Sequence, residues 1–233
     1  MVTRIERGAF PHRVAFATRC MIVPLTVITL LTAAASPGRP AEGFGARVSR
    51  ISPHLKERMT GKSWHRGCPV LIRSLRLIHV SYHGFDGEDH TGKLVAHKRA
   101  VKPLVRALRS MYRNGFKIRK MFLVDRYGGS DRRSMRADNT SAFNCRRVSG
   151  TDRWSEHAYG RAIDINPVEN PYVASNGRVS PRRGAPYADR SAHKKGMIHR
   201  RGSTVRAFAR AGWGWGGNWN SSKDYQHFSA SGH

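Results

Sequence analysis

The run Ala162-Ile163-Asp164-Ile165 sets a carboxylate among apolar side chains. Its neighbours favour a buried strand, yet a buried carboxylate is costly unless it is paired or bound to metal. Any fold this chain adopts must therefore bring a partner to Asp164. Just upstream, Ser155-Glu156-His157-Ala158-Tyr159-Gly160-Arg161 supplies an imidazole and, at Gly160, a residue that allows a tight turn. Far downstream, Asp224-Tyr225-Gln226-His227-Phe228 adds a second imidazole and a second carboxylate.

Two imidazoles and one carboxylate are the ligand set of a catalytic zinc site, with a fourth position left for water. His157, Asp164 and His227 are the candidate ligands for one Zn2+. Asp224 lies three residues before His227 and, if the turn between them faces both side chains one way, stands where a general base would stand. Metal-bound water loses its proton near a pKa of about 7, and a nearby carboxylate can pass that proton to a leaving amine. The chemistry expected of these parts is peptide-bond hydrolysis.

The rest of the chain reads as α+β, a small antiparallel sheet with flanking helices. Strands are expected at Pro69 to Val80, Lys93 to His97, Ile118 to Val124 and Ala162 to Ile165. Val101, Leu104, Val105, Leu108, Met111 and Tyr112 recur at helical spacing, so a helix is expected over Ala100 to Asn114 with Gly115 as its C-cap. A shorter helix is expected near Thr204 to Ala211. Tyr127 to Asn144 and residues 167 to 186 read as polar or Pro/Gly-rich loops.

The N-terminus reads as an export signal. Arg4, Arg7, Arg13 and Arg19 precede an apolar run from Cys20 to Leu31, and small residues follow at Ala33, Ala34, Ala35 and Ser36. Cleavage is expected near Ala35. A spanning anchor would need ~20 apolar residues, and Pro24 interrupts this shorter run. Residues 36–63, with Pro37, Pro40 and Pro53, read as a flexible basic spacer, leaving 64–233 as the catalytic domain. Secretion and association with the cell wall follow from that reading.

The chain has 42 Lys plus Arg against 15 Asp plus Glu, a formal charge of +27. Such a charge favours polyanions, including nucleic acid, anionic lipid and acidic wall polymers, without choosing among them. Loss of the leader removes Cys20, and Cys68 and Cys145 are then an even pair in an oxidising compartment. A disulfide between them is expected, two buried thiols being the alternative.

The order S-x-H-x-x-G-x-A-x-D followed by D-x-x-H-F resembles the M15 zinc peptidases, the group of D-alanyl-D-alanine carboxypeptidases and endolysins, over roughly residues 64–229. The segments Asp138-Asn139-Thr140-Ser141-Ala142-Phe143-Asn144-Cys145-Arg146, Trp154-Ser155-Glu156-His157 and Gly212-Trp213-Gly214-Trp215-Gly216-Gly217 resemble its exported actinobacterial branch. The resemblance implies zinc ligation by His157, Asp164 and His227, acid/base catalysis by Asp224, and the α+β fold shared with Hedgehog signalling domains. Some members carry Glu where Asp224 stands. An oxyanion-stabilising arginine is also implied, but the G-Y-R-S stretch that often holds it is missing; Arg146 is preferred here over Arg126. Ser155 and Tyr159 are expected to support the site, and Ser155, Tyr159 and Trp215 to contact substrate.

Other residues have blander readings. His79 and His83 are spaced like a helical zinc pair but sit in a strand pattern, and a charged surface accounts for His193 and His199. Trp213, Trp215 and Trp219 suit a cleft or a core edge equally. Cys145 has no evident base to make it a nucleophile. The expected substrate is the stem peptide of peptidoglycan, cut at D-Ala-D-Ala or at an internal bond such as L-Ala-D-Glu, by a protein expected to be monomeric. The rivals are a non-catalytic wall-binding module on the same fold and a nucleic-acid-binding protein. The second has no helix-turn-helix, zinc-finger or stacked-aromatic signature in its favour.

Overall fold

The computed structural model describes residues 43–233. The export leader and residues 36–42 of the expected spacer lie outside them. Among the described residues no helix is long and apolar enough to cross a membrane. Helices and small antiparallel sheets are mixed, in keeping with the α+β expectation.

The first sheet joins β1 (Ala46–Arg50), β2 (Leu75–His83) and β3 (Asp89–His97) in that order. A helix, α1 (Pro53–Met59), follows β1, capped by the Ser52 hydroxyl, which accepts from Leu55 N–H at 3.1 Å. This corrects the spacer reading. Residues 46–59 lack apolar periodicity because β1 is an exposed edge strand and α1 buries only Leu55 and Met59. Those two side chains nonetheless complete a core cluster with Leu75, Val95, Leu123, Phe143 and Cys145. The Cys68–Cys145 disulfide, with a Cα separation of 5.9 Å, lies beside this cluster.

Helix α2 (Val101–Arg113) buries Leu104, Ala107, Leu108 and Met111, one face at helical spacing, and Gly115 follows with φ +67°. Its face joins Ile78, Val80, Leu94 and the aromatic pair Phe208 and Phe228 in the main core. The sequence outlined this helix well because its periodicity and its stop signal agree.

The strand expected at Ile118 to Val124 is absent. The chain there makes only scattered backbone pairs, Lys93 N–H donating to Met121 O at 3.0 Å, Ile118 N–H to His83 O at 2.9 Å and Thr140 N–H to Lys120 O at 3.0 Å, and its remaining partners are side chains. Asn139 Oδ1 accepts from Phe122 N–H at 2.8 Å, and Asn139 Nδ2 returns a bond to Phe122 O at 3.0 Å. Arg119 N–H donates to Asn166 Oδ1 at 2.9 Å. Buried amides thus satisfy a backbone that would otherwise need a neighbouring strand. Within the expected loop 127–144 lies a short helix, α3 (Asp131–Arg136), capped by Ser130. Its polar sequence gives no periodic signal.

The second half folds into two further three-stranded sheets. In one, β9 (His227–Ser229) lies between β4 (Ala162–Asp164) and β7 (Gly214–Trp215). In the other, β5 (Tyr172–Val173) lies between β6 (Val179–Ser180) and β8 (Lys223–Asp224). Helix α4 (Ser203–Arg210) packs against α2, burying Ala207 and placing Phe208 in the main core.

Candidate metal centre

The pairing of β4 with β9 sets Asp164 directly opposite His227, and directly opposed residues on one face of an antiparallel pair are near neighbours. His157 arrives from a 3-10 turn, Glu156–Tyr159, started by the Ser155 hydroxyl, which accepts from His157 N–H at 3.3 Å. Gly160 ends that turn at φ +65°, and a Cβ there would lie 2.6 Å from His97 N. Only glycine fits this approach of the turn to β3.

The three side chains converge in a buried pocket. His227 Nδ1 lies 3.0 Å from Asp164 Oδ1, His157 Nε2 lies 3.1 Å from Asp164 Oδ2, and the two ring nitrogens are 3.2 Å apart. The outer ring nitrogens face carbonyls: His157 Nδ1 is 2.5 Å from Ala142 O, and His227 Nε2 is 3.2 Å from His233 O. A carbonyl only accepts, so each outer nitrogen carries the hydrogen. In neutral rings the inner nitrogens are then bare lone pairs, and three acceptors face one another.

Such a centre needs positive charge. Protons can supply part of it: burial disfavours a charged His227, but the Asp164 carboxylate prevails and raises its pKa. Burial likewise opposes ionised Asp164, yet His157 and His227 hold its carboxyl far below the usual range. A divalent ion satisfies all three at once. Two ligands about 2.0–2.1 Å from a tetrahedral ion stand ~3.3 Å apart, close to the spacings here. The donor set, the spacing and the carbonyls that fix the outer nitrogens of the two imidazoles all fit zinc.

Asp224 comes from a different sheet. It lies on β8 opposite Tyr172, and the chain changes sheets through Tyr225 and Gln226 before β9 begins at His227. The spacing of three is therefore a strand-to-strand crossing, which the sequence could not specify. Asp224 Oδ1 is buried with no hydrogen-bond partner among the described residues. Burial, and then the Asp164 charge, push its pKa up to about 6. Gly216 makes room behind it, since a Cβ there would lie 2.7 Å from Asp224 O and 3.3 Å from His227 Cβ.

A cleft of about 2130 Å³ opens over these residues, lined also by Ser155, Arg146, Gln226 and Trp219. Arg146 is held by Asp131 at 3.1 Å, and its Nε is buried without a hydrogen-bond partner among the described residues. Arg126 instead packs on the Phe122 ring and does not line the cleft.

Two expected substrate contacts are corrected. Trp215 is buried, donates from Nε1 to Tyr225 O at 2.9 Å and stacks near Phe228, so it belongs to the core. Tyr159 packs beneath Arg161 and does not line the cleft. Trp219 does line it, 5.6 Å from His227 between ring centroids. The glycines around these tryptophans concealed which one faces out. Sequence reasoning also missed Ala142, whose carbonyl orients His157. The bridge between Ser141 and Asp164 places it there, and its apolar side chain carries no signal of that role.

His79 and His83 both lie on β2; His83 bonds to Asp89 and stacks on Tyr112 at 4.0 Å. His193 and His199 stack on each other at 4.1 Å.

A buried His-Asp-His group beside a carboxylate whose Oδ1 has no hydrogen-bond partner among the described residues, in an open cleft, defines a candidate metallohydrolase centre. Residues 149–230 match the model of a family described as D-alanyl-D-alanine carboxypeptidase, and that match indicates a peptidase. His157, Asp164, Asp224 and His227 all fall within the matched stretch; Arg146 falls before it. No curated protein and no solved structure gives a significant match.

Proposed function

We propose that this protein is a secreted zinc peptidase that hydrolyses the stem peptides of peptidoglycan, at D-Ala-D-Ala or at an internal bond such as L-Ala-D-Glu. The observation that carries the reading is the convergence of three bare ligand atoms next to the unpartnered Oδ1 of Asp224. The stretch matching the carboxypeptidase family supports the peptide-bond assignment. Zinc held by His157, Asp164 and His227 would polarise the scissile carbonyl and acidify a water molecule.

The protein's own groups account for the rest. Asp224 Oδ1 takes the proton of the attacking water as oxygen bonds to the carbonyl carbon. The same oxygen returns that proton to the amine nitrogen as the C–N bond breaks. Its raised pKa suits both directions of transfer near neutral pH. Arg146, aimed by Asp131, is the candidate donor to the developing oxyanion. Ser155 fixes the backbone that presents His157. The N-terminal basic and apolar pattern supports export, and the oxidised cysteine pair suits that destination.

Mass spectrometry of wall peptides incubated with the purified protein tests the proposal. Cleavage by the wild type and its loss in Asp224→Asn are expected, and the product masses identify the bond. Binding of wall peptides without cleavage would instead favour a binding module on the same fold.

A further inference from the structure

The cleft is far larger than the reaction at its base requires, and its walls are predominantly basic. Small-molecule sites occupy roughly 300–1,000 Å³, against about 2130 Å³ here. Eight arginines line it, at 132, 136, 146, 147, 153, 178, 182 and 183. Its four acids are committed or central: Asp131 holds Arg146, Glu156 holds Arg161, Asp164 faces the two imidazoles, and Asp224 lies at the reacting centre. Arg147 lies on the Trp154 ring at 3.7 Å, and Arg183 donates to Arg136 O at 3.4 Å.

The side chains of Arg132, Arg136, Arg153, Arg178 and Arg182 have no acid or hydrogen-bond partner among the described residues, and all five are exposed. They occupy separate elements. Arg132 and Arg136 stand on α3 and Arg153 on the loop before Ser155, while Arg178 and Arg182 flank β6. Guanidinium groups gathered on a cleft repel one another unless an anion lies between them, and a cleft with an excess of one sign concentrates opposite charge. Planar guanidinium groups match carboxylates with paired hydrogen bonds.

We infer that this cleft takes its substrate as an extended peptide bearing several free carboxylates, gripped by Arg132 and Arg136 from α3 and by Arg178 and Arg182 from the β6 side. The inference rests on the peptidase reading and deepens it: a dipeptide terminus with its single carboxylate would use neither the length of the cleft nor most of its charge. These arginines are positioning residues that set specificity. A phosphodiester polymer is the competing occupant.

The test is titration calorimetry on the full chain carrying Asp224→Asn, which leaves the arginines in place while blocking turnover. The probes are a five-residue wall-type peptide with free side-chain carboxylates, the same peptide with those carboxylates amidated, and poly(glycerol phosphate). Amidation is expected to weaken binding by about tenfold or more at low salt. Adding Arg178→Gln and Arg182→Gln is expected to remove that preference while leaving the amidated peptide unaffected. Lys102→Gln with Arg106→Gln, the same charge change on the exposed face of α2, is expected to alter neither. Equal binding of the two peptides, equal losses from both variant pairs, or tighter binding of the phosphodiester polymer than of the acidic peptide would overturn the inference. Cleavage of the acidic peptide by the wild type is read separately. Selective binding without cleavage would uphold the arginine grip and defeat the peptidase reading.

Discussion

Replacing Gly216 by alanine isolates what the fold does for the site. Its φ is not in the left-handed region, so alanine brings no backbone strain and the effect is one of space alone. The added Cβ would lie 2.7 Å from Asp224 O, 2.9 Å from Asp224 Cβ and 3.3 Å from His227 Cβ. An ordinary contact begins near 3.4 Å, so the β8 backbone at Asp224 must withdraw by about 0.7 Å. Overpacking of this kind costs about 1–3 kcal/mol, or roughly 2–4 °C in Tm per kcal/mol for a chain of this size. The functional effect should be larger, because a displacement near 1 Å of a reacting group can cost about 100-fold in rate. Steady-state kinetics on a wall peptide, run beside thermal unfolding, reads both quantities. A folded Gly216→Ala protein with wild-type kcat would refute the claim that this glycine sets the place of Asp224.

Asp224→Asn should lower kcat by about 100-fold to 10,000-fold while zinc content stays at the wild-type level, as metal analysis and kinetics on one preparation would show. Reducing the Cys68–Cys145 bridge, which closes a sequence separation of 77, should cost about 2–5 kcal/mol, measured as a drop in denaturation midpoint with reductant. Asn139→Leu should cost about 1–3 kcal/mol by orphaning Phe122 N–H and O, read by urea unfolding. Burial, reinforced by Glu169, raises the pKa of Asp138 from 3.8 to about 7. Between those values the folded state keeps a proton that the unfolded chain releases, so stability should fall as pH rises from about 4 to 7. Asp138→Asn should flatten that slope in unfolding curves taken across the range.

How much of this was legible in the sequence depended on whether each residue's role was written in its own side chain. Asp164 among apolar neighbours, two imidazoles and a second carboxylate announced a polar centre, because burying them apart is costly. Helix α2 was legible because apolar spacing and Gly115 agree. The strand expected at Ile118 to Val124 failed because its backbone pairs are scattered over three segments and the rest of its bonds go to Asn139 and Asn166, a long-range side-chain pairing that leaves no local pattern. Helix α1 and strand β1 were read as spacer because they bury little. The tryptophans were ambiguous for a related reason: Trp215 and Trp219 share glycine-rich surroundings, and only tertiary packing turns one inward and the other to the cleft.

The central claim is that His157, Asp164 and His227 hold one metal ion for hydrolysis. Elemental analysis of the purified protein, repeated for His157→Ala, Asp164→Ala, His227→Ala and Asp224→Asn, tests it most directly. The account predicts about one zinc per chain in the wild type and in Asp224→Asn, and near none in the three ligand variants. Zinc missing from the folded wild type, or retained in full when His157 and His227 are replaced, would contradict it.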